Sequence, residues 1–143
     1  MAKNYNIQDA KEGLKAVMDK HGVNMARIIE QMYRLETANF TSRQYVQTGT
    51  PGMETGKWGT VRYGYAIGTY ASVPMVDNHT GQERRFIVFP SVKDAMLFLA
   101  AYINNYGGNF ARWNSTDPAI QEQYRNKVMA VTPSIVNETY NVA

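Results

Sequence analysis

The chain contains no cysteine. Disulfides, thiolate metal sites and cysteine nucleophiles are therefore excluded. It has only two histidines, His21 and His79, far apart and without ligand spacing. No run of carboxylates is placed to complete a zinc site around either one, so no metal and no cofactor is expected. A Ser-His-Asp arrangement has no support, and no GxxxxGK[ST] run exists to cradle a phosphate. Charged residues make up only 19% of the chain and the net charge is +3. The basic residues are dispersed, and the Arg84-Arg85 pair directly follows Glu83, so the footprint of a nucleic-acid binder is missing. Such a mild positive balance suits approach to an anionic polymer such as a cell wall, and equally suits simple solubility. No apolar stretch reaches membrane-spanning length, and Met1-Ala2-Lys3-Asn4-Tyr5 does not begin a signal peptide. The expectation is a chain made in a cytoplasm and taken elsewhere, if at all, by other means.

What is present is a globular composition, with 44% hydrophobic residues in 143. That length suits one domain over 1–143 with a buried core. Aromatic residues reach 12%, and ten of them are tyrosines. Tyrosines line sugar sites and also fill half-wet cores. The methionines fall at helical spacing and read as core filler.

Apolar periodicity predicts a first helix over 9–20, with Ala10, Leu14, Val17 and Met18 on one face and Gly22 ending it. A second helix is expected over 25–38, capped by Asn24. From 41 to 83 the glycines at 49, 52, 56, 59, 64, 68 and 81, with Pro51 and Pro74, break long helices. Alternation of Tyr63, Tyr65, Ile67 and Thr69 suggests a strand, Asn78-His79-Thr80-Gly81 a turn, and Arg85–Phe89 a returning strand. Helix returns after Ser91, which can cap with Asp94. Val92, Met96, Leu99 and Ile103 form its buried row, thickened by Ala95, Phe98 and Tyr102, and Gly107-Gly108 stops it. Asp117-Pro118 supplies a cap and first-turn proline for a fourth helix marked by Ile120, Tyr124, Val128 and Val131. Pro133 closes that helix, and 134–140 adds a short turn or helix. The fold class expected is α+β, mainly helical, with a small irregular β-hairpin lobe over about 41–90 set against a helical body and a cleft between them.

Glu36 stands out. Met25, Ile28, Ile29 and Met32 define the apolar arc of the second helix, and Glu36 falls near its middle. A carboxylate there faces a cleft or is buried, and burial without a counter-charge favours the protonated form. A glycosidase needs such a group to protonate the leaving sugar oxygen. The structural alternative is a glutamate paired with Arg34, Arg43 or a buried tyrosine.

The segment Ile29-Glu30-Gln31-Met32-Tyr33-Arg34-Leu35-Glu36-Thr37-Ala38-Asn39-Phe40-Thr41-Ser42 resembles the catalytic helix of phage and bacterial peptidoglycan hydrolases of the lysozyme superfamily. The likeness is nearest to the glucosaminidase-like and lytic-transglycosylase-like branches. Thr48-Gly49-Thr50-Pro51-Gly52-Met53-Glu54 resembles the loop that follows there. Phe86 to Tyr106, then Trp113, Asp117-Pro118 and Tyr124, resemble the family's later segments, so the likeness spans about 25 to 132. It departs at Asn39, where many relatives carry histidine, and Asn cannot titrate.

The resemblance implies a lysozyme-like helical body. It implies an enzyme of the glycoside hydrolase kind that cuts β-1,4 bonds between N-acetylmuramic acid and N-acetylglucosamine, with Glu36 as general acid. Tyr124 would steady a developing charge or the acetamido group. Candidates for a second carboxylate are Glu54, Asp77 and Glu83. Sugar contacts are expected from Asn39, Thr48, Tyr63 and Trp113, with Trp58 and Ser42 as weaker candidates. The implied partner is a peptidoglycan strand bound by a monomer. The implied setting is a phage product, either an endolysin released to the cell wall at lysis or a component of the particle. Rival expectations are an inactive structural or interaction protein on the same fold, and a carbohydrate-binding module.

Overall fold

Asn6 starts the first helix. Its side chain accepts from the backbone N–H groups of Gln8 and Asp9, and Asp9 Oδ2 accepts from Asn6 N–H in return. This reciprocal cap satisfies the free donors that open a helix. The structure, a computed structural model, describes residues 2–77 and 80–142. His79 and the Asn78-His79 half of the expected turn lie outside the described residues.

Helix α1 (Ile7–His21) buries Ala10, Leu14 and Val17. Gly13 lets it lie close on a later helix, since a Cβ there would come 2.6 Å from Met96 Sδ. Gly22, at φ 94°, ends α1 and also precedes α2 (Val23–Glu36). The cap expected at Asn24 is therefore corrected. Asn24 lies inside α2, where its Oδ1 accepts from Arg27. Helix α2 ends at Glu36, not at residue 38, because Ala38, Asn39 and Phe40 all take left-handed backbone angles (φ 48°, 58° and 66°). A short helix α3 (Arg43–Thr48) follows, with Ser42 accepting from Tyr45 N–H at its start.

The expected strand through Tyr63–Thr69 is not formed. Tyr63 (φ 52°) and Gly64 (φ 85°) are left-handed, so Arg62 and Tyr65 close a tight turn with reciprocal 2.9 Å bonds. Ile67–Thr69 then makes a 3-10 turn. The hairpin lies later, between β1 (Ser72–Val76) and β2 (Glu83–Ile87), antiparallel with Val73 opposite Phe86 and Met75 opposite Arg84. The returning strand thus begins two residues before the expected Arg85. Pro74 sits in β1 because a two-stranded sheet has only edges, where a missing donor is tolerated.

Helix α4 (Val92–Asn105) begins with Ser91 accepting from Asp94 N–H. Its apolar stripe divides into two faces. Val92, Met96, Leu99 and Ile103 join Ala10, Leu14, Ile29 and Met32 in the main core. Ala95 and Phe98 join Met53, Ile67, Ile87 and Phe89 in a second, aromatic core under the lobe. Helix α4 is thus the spine on which body and lobe are both built. A 3-10 turn (Phe110–Trp113) leads to α5 (Pro118–Met129), capped by Asp117, and then to α6 (Ser134–Val142). On α5 only Tyr124 and Val128 are buried; Ile120 is 44% exposed, so the expected apolar face is narrower. Among the described residues, six α-helices and one two-stranded antiparallel sheet give the α+β, mainly helical fold that the patterns indicated. Among them, too, no helix is long and apolar enough to cross a membrane.

Candidate active site

The C-terminal half of α2 carries two glutamates with opposite surroundings. Glu30 is fully buried, but its carboxylate is well supplied with donors. Arg34 Nε lies at 2.7 Å, and the backbone N–H groups of Ile135 and Val136, at the start of α6, donate at 3.0 and 2.8 Å. A helix N-terminus and a guanidinium together compensate a buried charge. Arg34 is thereby occupied. It also donates to Asn39 Oδ1 and Ser134 Oγ, and its guanidinium lies over the Phe40 ring.

Glu36, half-buried at the end of the same helix, has no such supply. Among the described residues no lysine or arginine pairs with it. Its bond is to Tyr124, whose hydroxyl donates to Oε2 at 2.7 Å from the buried face of α5. Burial pushes the Glu36 carboxyl up to about 7, and the Tyr124 hydrogen bond pulls it only partly back. Burial and the adjacent carboxylate raise the Tyr124 hydroxyl far above its ordinary value, so it remains a donor. Of the structural alternatives, pairing with Arg34 or Arg43 is not found, and pairing with a buried tyrosine is.

The chain leaves Glu36 through a strained turn. Each left-handed residue other than glycine costs about 1–2 kcal/mol. Thr37 offsets that cost. It is fully buried, its hydroxyl donates to Tyr33 O and accepts from Phe40 N–H, and its carbonyl accepts from Thr41 and Ser42 N–H at 2.9 Å. Phe40 closes the turn from below, 6.0 Å from the Tyr33 ring and 5.3 Å from Tyr45. The Glu36 carboxyl is thus held between a fixed helix end and α5.

The structure brings together Glu36 and Tyr124, with Asn39 exposed on the adjoining turn. It does not bring Thr48 to the surface. Thr48 ends α3 fully buried, its hydroxyl shared with Gln44 O and Thr50, so the expected sugar contact there is corrected. Ser42 is spent as the cap of α3. Tyr63, Trp58 and Trp113 are half-buried in one aromatic network. Tyr63 lies 5.2 Å from Phe98, and Trp113 lies 5.4 Å from Trp58 and 5.2 Å from Tyr102. Tyr65, Tyr70 and Tyr102 likewise pack their rings on Phe89, Phe98 and Trp113. Glu54 pairs with Lys57 at 3.1 Å and faces Arg84 at 3.9 Å. Asp77 faces Arg84 at 3.8 Å, and Glu83 is exposed at the start of β2. None of the three is bonded into the Glu36–Tyr124 pair.

Among the hollows on the lobe, one, of about 460 Å³, lies between α3 and the hairpin, and another, of about 250 Å³, lies beside Trp58 and Tyr70. Glu36 lines neither, but Ser42 at the edge of the first is bonded to Thr37. Among the described residues no group of three histidine or acidic side chains is gathered as a metal would need.

Glu30 is the residue the sequence reading passed over, and the four-residue spacing of Glu30 and Arg34 was the available signal for it. No family model matches the chain, and comparison with curated proteins and with solved structures finds no match. What the site does is therefore argued from its chemistry.

Proposed function

We propose that the protein is a glycoside hydrolase that cleaves the β-1,4-linked amino-sugar backbone of peptidoglycan, with Glu36 as the general acid. The observation that carries this reading is a half-buried carboxyl that pairs with no lysine or arginine among the described residues and has a tyrosine hydroxyl 2.7 Å away. A group held at about 7 keeps a proton to give near neutral pH, as a leaving sugar oxygen requires. Once the proton has left, the Tyr124 hydroxyl is already aimed at the new carboxylate, and the stiff turn around Thr37 limits its movement. Glu54 and Asp77 face cations and Glu83 is exposed at the start of β2, which supports a displacement completed by water or by the sugar's own acetamido group. The bond cut and a phage origin belong to the same proposal and rest on the resemblance alone.

The test is turbidity clearing of purified peptidoglycan by the wild type and by Glu36→Gln, with mass spectrometry of the products. Loss of the acid is expected to slow clearing at least about 100-fold. New reducing ends at either sugar, or an anhydro end, would name the reaction. Equal clearing by the two proteins, or none by the wild type, would overturn the proposal.

A further inference from the structure

We infer that the hollow between α3 and the hairpin binds the carboxylate-bearing peptide that substitutes the glycan strand, with Arg43 as its anion contact. The inference rests on the glycan-cleaving reading of Glu36 and extends it to the part of the substrate that is not sugar.

The hollow has two unlike walls. From α3 come Arg43 and Gln44; from the hairpin come Met75, Val76, Arg84 and Phe86. Register explains the second wall, since Met75 pairs with Arg84 and Val73 with Phe86 across the strands, and β1 packs on α3. Val76 is an apolar side chain left 58% exposed at this edge. Arg84 already faces Glu54 and Asp77 at 3.9 and 3.8 Å, and it offsets Asp77 in the same wall. Arg43 is different: it is exposed at the first turn of α3 and, among the described residues, has no ion-pair partner.

The wall therefore offers a guanidinium with no ion-pair partner among the described residues and three apolar side chains. A short peptide brings a carboxylate for Arg43 and methyl groups for Met75, Val76 and Phe86. The volume, about 460 Å³, suits a few residues. Position agrees as well. Ser42 N–H donates to Thr37 O at 2.9 Å, so the residue before Arg43 abuts the residue after Glu36. A strand cut at Glu36 would carry its peptide past this wall.

The test titrates full-length Glu36→Gln, which does not consume substrate, with a disaccharide–tetrapeptide and with the same disaccharide lacking the peptide. The peptide-bearing compound is expected to bind at least tenfold tighter, with NMR shifts at Arg43, Met75 and Val76. Adding Arg43→Ala should reduce that advantage about tenfold, the loss of one charge-assisted bond. Arg43→Lys should restore part of it, and Val76→Asp, at an exposed site, should reduce it by repulsion. Equal affinity for the two compounds, or shifts confined to the surroundings of Tyr124, would overturn the inference. Clearing of intact and peptide-stripped peptidoglycan separates the two failures. If the wild type clears both at the same rate and Glu36→Gln clears neither, the acid stands and the peptide site falls. If the wild type clears neither, both fall.

Discussion

Replacing Glu36 by glutamine should make the protein more stable at alkaline pH, by an amount set by the acid's own environment. The native carboxyl sits at about 7 against an ordinary 4.5. Between those values the folded chain binds more protons than the unfolded one, so stability falls as pH rises. It is constant below about 4.5, declines through the interval and levels off above 7. At about 1.4 kcal/mol per pH unit the full loss is roughly 3 kcal/mol, and a side chain that keeps some water should show nearer about 2. The glutamine side chain does not titrate, and its carbonyl can still accept from Tyr124, so the variant should lack this decline. The measurement is urea unfolding of both proteins at about pH 4.5, 6 and 8, taken as a difference. His21, whose pKa is lowered by burial and by Lys20, titrates alike in both and cancels. The variant should gain about 2–3 kcal/mol over the wild type between about pH 4.5 and 8, worth several degrees in Tm. A gain below about 0.5 kcal/mol would show that the carboxyl ionises freely, and the account of Glu36 as a held acid would fail.

Other perturbations follow from the same geometry. Tyr124→Phe removes the bond that lowers the Glu36 pKa, so the alkaline limb of the clearing profile should move to higher pH while the maximal rate falls; an unmoved limb would deny the coupling. Glu30→Gln leaves Arg34 without its buried partner and weakens the hold on the start of α6. Unfolding free energy should drop by about 3–5 kcal/mol, with faster amide exchange in α6 read by mass spectrometry. Ala38→Gly relieves a left-handed alanine at an exposed site. After the entropy glycine loses on folding, a gain of about 0.5–1 kcal/mol should appear in the melting curve.

The legible parts of the chain were those governed by local rules. Ser91 and Asp117 cap their helices as their residue types suggest, and the row Val92, Met96, Leu99 and Ile103 is buried because a 3.6-residue period admits no other common face. Asn24 misled, since its oxygen meets Arg27 while Gly22 already turns the chain. The alternation at Tyr63–Thr69 misled more, because left-handed angles at Tyr63 and Gly64 leave no extended segment to pair.

By itself, then, the sequence determined the longer helices, the caps at Ser91 and Asp117, the absence of thiol chemistry, and that Glu36 lies on an apolar arc. Tertiary structure alone decided that Tyr124, 88 positions away, is the group that meets that carboxyl, and that α6 occupies Glu30. It also decided that Thr48 is sealed inside. The reason is physical: caps and periodicity act over a few residues, whereas the surroundings of a charge are set by whichever distant elements pack against it.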